Sequence, residues 1–168
     1  MKIRILLILA VVLIYGTQVQ AENKDFNLGI GFTRGTASEG FIGFFWNDLE
    51  LKLSAASQSL SQTVGSTTSK VDVTSFGVAT IGKKPIDDGK LKMTYGSFIN
   101  FGNGKIGSND IKSAINFGIL FGVQYPLAST LVDFYFVPFS STIITASNYD
   151  SRQTSILSDC RIGFTYLF

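Results

Sequence analysis

The chain has 168 residues, 45% of them hydrophobic, with 17 Gly, 15 Phe, one Cys and no His. Lys+Arg number 14 and Asp+Glu 12, a balance too even for a partner that tracks a phosphate backbone, so nucleic acid is excluded. One cysteine excludes an intramolecular disulfide, and the missing His removes the commonest general base and metal ligand together.

Met1 to Ala21 opens with Lys2 and Arg4, runs apolar from Ile5 to Tyr15 and reaches Val19-Gln20-Ala21, a small-x-Ala cleavage site. An apolar run of roughly 11 residues is short of the ~20 a spanning helix needs. Residues 1–21 therefore read as a secretory signal peptide, and 22–168 as one domain. Lys2 and Arg4 leave with the signal, which brings 14 bases down to 12 against 12 acids. No Cys follows the small residues, which argues against a lipid anchor.

From Phe26 the pattern has period two. Phe26, Leu28, Ile30 and Phe32 share one face, and Asn27, Gly29, Gly31 and Thr33 the other. Residues 34–40 read as a loop. The second strand sets Ile42, Phe44 and Trp46 outward, against Phe41, Gly43 and Phe45. Asn47-Asp48 supplies a turn. The third strand is the cleanest: Leu49, Leu51, Leu53 and Ala55 alternate with Glu50, Lys52, Ser54 and Ala56, and a one-residue slip would put both charges on the greasy face. Ser57 to Ser69 reads as a long polar loop. The fourth strand, about Val71 to Gly82, has mixed faces and takes no orientation without a bulge.

Lys83 to Lys90 contains Pro85 and Asp88-Gly89 and reads as a turn. The fifth strand presents Leu91, Met93, Tyr95, Ile99 and Phe101 opposite Lys92, Thr94, Gly96, Phe98 and Asn100. Asn103-Gly104 is a tight-hairpin dipeptide, although polarity persists as far as Lys112. The sixth strand alternates Ile115, Phe117, Ile119, Phe121 and Val123 with Asn116, Gly118, Leu120, Gly122 and Gln124. After a turn over 125–130, Val132, Phe134 and Phe136 alternate with Asp133, Tyr135 and Val137, and Pro138 marks a bulge or bend. A polar loop covers 146–154. The eighth strand sets Ile162, Phe164, Tyr166 and Phe168 against Asp159, Arg161, Gly163 and Thr165.

Eight amphipathic strands, with connections after the odd strands mostly longer than those after the even ones, predict an all-β, antiparallel, up-and-down transmembrane β-barrel. The mature sequence resembles the small eight-stranded outer-membrane barrels of the OmpA, OmpX and NspA type. The most specific piece is Arg161-x-Gly163-x-x-Tyr166-x-Phe168, which looks like the C-terminal signal read by the outer-membrane assembly machinery. The resemblance implies residence in the outer membrane of a Gram-negative-type bacterium, with lipid, lipopolysaccharide and that machinery as partners. A monomer is expected, with surface loops where a host or cell-surface ligand would bind.

On this register Glu50, Lys52, Lys92, Asp133, Asp159 and Arg161 face the lumen, three acids against three bases. Buried charges need partners, and an eight-stranded barrel has room inside only for side chains. A plug of salt bridges is therefore favoured over a gate or ion path. Cys160 falls with the outward residues and has no His partner. Asp87-Asp88-Gly89-Lys90 lacks the spacing of a phosphate-binding loop, and Asp110 and Asp150 sit in no calcium-loop pattern. Neither a cofactor nor a metal is expected. The reading is thus a non-enzymatic barrel acting through its loops in adhesion, surface protection or envelope integrity. Two rivals remain: a small channel for ions or small apolar molecules, and a soluble lipocalin-like barrel with its apolar faces turned inward.

Overall fold

The computed structural model describes residues 26–168 except 36, 65–66, 87–89, 107–108 and 147–149, with backbone alone at 58–64, 67–71, 106, 109, 146 and 158. The signal-peptide segment and Asp87-Asp88-Gly89 lie outside the described residues. Eight strands follow one another round a closed barrel. They are β1 (Asn27–Arg34), β2 (Ser38–Phe45), β3 (Leu49–Val64), β4 (Thr67–Pro85), β5 (Lys92–Ile106), β6 (Asn109–Leu127), β7 (Thr130–Ala146) and β8 (Asp150–Leu167). All eight pairings are antiparallel, and β1 closes on β8 from Gly29↔Leu167 to Arg34↔Ile162.

Closure demands tilted, staggered strands, and the pairing shows the stagger. From Gly40 the partners run Ala55, Phe76, Phe101, Ile115 and Ile143, reaching β8 at Arg152. In the other direction Gly40 pairs with Phe32, and Phe32 with Phe164. One circuit thus climbs from Phe164 to Arg152 along the same strand.

Alternation sorts the side chains. Ile30, Phe32, Phe76, Val78, Phe101, Phe121, Phe134 and Phe164 point outward, 37–53% exposed. Glu50, Lys52, Asp133, Thr94 and Thr165 point inward and are buried. Strand two faces as its glycine suggests, with Phe41 and Phe45 buried alongside Leu131. Phe26 and Leu28 depart from the expected greasy exterior: each is almost fully covered. The Phe26 ring lies 5.3 Å from Trp46 and 6.3 Å from Phe44, and Leu28 pairs with Phe44.

Three expectations are corrected. The β4 ladder carries no bulge on either side: Gly77, Ala79, Ile81 and Lys83 face inward while Phe76 and Val78 face out. Its two faces looked mixed because apolar residues, Ala79 and Ile81, face the lumen there. The predicted polar loop at 57–69 is mostly ladder, with β3 and β4 paired up to Val64↔Thr67. Asn103-Gly104 likewise lies inside β5, opposite Thr74 and Val73, where the alternation continues past it. The odd-numbered connections are thus no longer than the even ones; what extends them is paired strand.

Pro138 is absent from both neighbouring ladders, which shift register there. Opposite it, Leu157 takes a positive φ of 55°, a conformation rare outside glycine. Strands β1 and β2 have 8 residues each, whereas β3 to β8 have 15 to 19. The wall is therefore low on one side. Above Ala56 and Ile162 the facing edges of β3 and β8 have no partner in β2 or β1. On the outer surface, a groove of about 350 Å³ follows the β1–β8 seam between Ile30, Phe32, Phe164 and Tyr166.

Candidate functional site: a layered lumen

In the lower lumen, near the β2–β3 turn, Glu50 and Lys52 come from β3, Lys83 from β4, Gln124 from β6, and Asp133 and Tyr135 from β7. Period-two alternation puts each on the inner face. Lys52 Nζ donates to Asp133 Oδ2 at 3.0 Å and to Tyr135 Oη at 2.7 Å. It also stands 3.2 Å from Glu50 Oε2, without hydrogen-bond geometry. Gln124 Nε2 donates to both Glu50 Oε1 and Asp133 Oδ1, and Lys83 Nζ lies 3.4 Å from Glu50 Oε1. Two carboxylates thus meet two ammonium groups with no net charge, and these side chains are at most 5% exposed. The Phe41 ring lies under Lys52, 4.7 Å from Nζ.

Above this layer Ile81, Phe98, Leu120, Tyr135 and Val137 form an apolar cluster across the lumen. A second charged group lies on its far side. Arg161 Nε donates to Asp159 Oδ2 at 2.8 Å, and Nη1 to Glu39 Oε1 at 3.3 Å. The guanidinium sits 5.0 Å from the Phe98 ring centre, a cation–π contact.

The six lumen charges expected from the sequence therefore do not form one network. Glu50, Lys52 and Asp133 meet below, and Asp159 and Arg161 above. Lys92 stands apart at the lower mouth, donating to the Asn47 carbonyl at 3.3 Å. Lys83, in a predicted turn, and Glu39, in a predicted loop, also join these layers. The signal for both was parity: Lys83 lies two residues past Ile81, and Glu39 two before Phe41.

Of the C-terminal residues, Gly163 is buried beside Thr33 and Asp133. Tyr166 and Phe168 point outward with rings 5.5 Å apart, and Phe168 N donates to the Leu28 carbonyl. Cys160 is exposed on the outer face. Asp110 lies 3.9 Å from Lys105 with both side chains well exposed, and Asp150 begins β8 opposite Thr145.

Three cavities line the axis: about 300 Å³ above Arg161, about 40 Å³ between the charge layers, and about 110 Å³ at the lower mouth beside Lys83 and Lys92. Closed wall, outward apolar belt and layered polar interior define a small eight-stranded antiparallel barrel of the kind found in outer membranes. Neisserial surface protein A is similar in structure, with 14% sequence identity and a TM-score of 0.58 over 85% of this chain and 96% of that one. The N-terminal barrel domain of Pseudomonas aeruginosa OprF (15% identity, TM-score 0.46) and a major outer membrane protein of Thermus thermophilus (11%, 0.47) also match over 85% of this chain, covering 96% and 98% of theirs. At 14% identity the likeness to the Neisserial protein is one of fold. No family model and no curated protein matches the sequence.

Proposed function

We propose that the protein is an integral outer-membrane barrel, monomeric and non-enzymatic, with a plugged lumen, acting through its outer end in adhesion, surface protection or envelope integrity. The observation that carries the plug is the lower charge layer, two acids and two bases almost fully shielded inside a closed wall. The outward apolar belt supports the membrane reading, since a soluble monomer rarely exposes so large a contiguous apolar patch. It also argues against a lipocalin-like barrel, whose apolar faces would line the lumen. Arg161, Gly163, Tyr166 and Phe168 serve as the assembly signal in this reading. Lipid, lipopolysaccharide and the assembly machinery are the proposed partners, with a host or cell-surface ligand at the outer hairpins.

The test has two arms. The mature protein should fractionate with the outer membrane and give no stable open channels in planar bilayers; a water-soluble protein or steady conductance would overturn the reading. Replacing 57–69 by a short turn should leave the barrel folded but lower cell adhesion or detergent resistance. No change in either would remove the surface role.

A small conduit for ions or small apolar molecules is the second reading. The succession of three cavities along the axis favours it. It predicts conductance that rises when Lys52 is neutralised.

A further inference from the structure

The upper cavity lies outside the plug, between the upper charged group and the inner faces of the outer hairpins. Its volume of about 300 Å³ falls at the lower end of the range for small-molecule sites. Its floor holds two carboxylates, Glu39 and Asp159, against the single guanidinium of Arg161. The other described side chains lining it are neutral, so among the described residues two carboxylates face one cation there. Glu39 is engaged only through Oε1 among the described residues. Its second oxygen is not among the buried atoms lacking a partner, which leaves it open to a donor in the cavity.

The walls are of two kinds. Asn100, Asn116 and Thr142 supply carbonyl and hydroxyl oxygens, with Asn116 already held to Thr142 at 2.8 Å. Val73, Ile111 and Ile144 supply an apolar surface further along the same side of the barrel. A ligand suited to this chamber carries a compact N–H donor cation on a short aliphatic stem.

We propose that the upper lumen is a binding site for small primary alkylamines, with the ammonium on Glu39 and Asp159 and the stem against Val73, Ile111 and Ile144. Three N–H donors match the carboxylate and carboxamide oxygens, and the charge-assisted bonds form where water is partly excluded. A quaternary ammonium has no N–H to give, and an anion meets the floor's net charge. The site rests on the cavity alone and stands whether or not the lumen conducts.

The test uses the refolded mature barrel in zwitterionic detergent, titrated with 1-aminopentane, and with 1-pentanol as a neutral control for partition into the micelle. Amide NMR shifts at Glu39, Asn100, Asn116 and Arg161 should saturate with the amine and not with the alcohol. Glu39→Gln should weaken amine binding about tenfold, the loss of one charge-assisted contact. Ala56→Lys, on the cavity wall and paired with Glu39 across the β2–β3 ladder, places a competing ammonium beside that carboxylate and should abolish it. Saturation by amine and alcohol alike, or undiminished amine binding in either folded variant, would overturn the assignment. Should Glu39→Gln fail to fold, Ala56→Lys decides alone.

Discussion

The two ends of the lumen are built from the same ingredients and behave as opposites. Both set two carboxylates against cationic side chains and lay an aromatic ring on a cation. Below, the inward positions between the charges carry Phe41, Phe45, Leu131 and Tyr135, and only the smaller space of about 110 Å³ at the mouth remains. Above, they carry Ala56, Ser75, Gly102, Ala114 and Ser140, and a chamber remains. With the barrel's girth set by strand number and stagger, the volume of the inward side chains decides which stretch is plug and which is vestibule.

The largest break in this contrast should come from Lys52→Met. It leaves Glu50 and Asp133 with Lys83 as their only counter-charge among the described residues, and breaking such a buried pair costs about 3–5 kcal/mol, read as a lower urea midpoint for unfolding from detergent. Leu131→Ala should cost about 2–4 kcal/mol in the same assay, because the filled layer cannot collapse round the gap. Arg161→Met should cost only about 1–2 kcal/mol, since Glu39 and Asp159 keep some access to water, and the barrel should still assemble. Ala114→Leu should change stability by less than about 0.5 kcal/mol, its added atoms entering existing space rather than forcing the wall. Equal effects for Leu131→Ala and Ala114→Leu would erase the distinction between the two ends.

Much of this was legible in the residues. Glu50 and Lys52 alternating with Leu49, Leu51 and Leu53 admit one facing, and the same holds for Asp133 on β7 and Arg161 on β8. Strand β4 was not legible in this way, because Ala79 and Ile81 face inward while Thr80 faces out, so polarity no longer tracks parity. The outer hairpins were misread for another reason. Ser- and Thr-rich stretches look like loops by composition, yet Thr is at home in strands, and a ladder already under way extends through them. Partnerships were beyond reach: Lys52 and Asp133 are 81 positions apart, and only the stagger brings them level. That Arg161 belongs with Glu39 rather than with Glu50 likewise follows from height along the axis, which alternation does not encode.

The β1–β8 seam has a mechanical meaning. It joins the first and last strands through a ladder that stops at Arg34, while the β3–β4 ladder runs on to Val64. Gly31 sits in it where a Cβ would strike the Phe164 carbonyl and the Phe41 ring, so even a methyl group there would wedge the wall apart. The ring pair Phe32–Phe164, 5.4 Å apart, and the bond from Phe168 to Leu28 clasp it from outside and below. Under load this cylinder would tear along that line first, as a rolled sheet opens at its overlap. Assembly would run the same path in reverse, with the clasp the last part to snap shut.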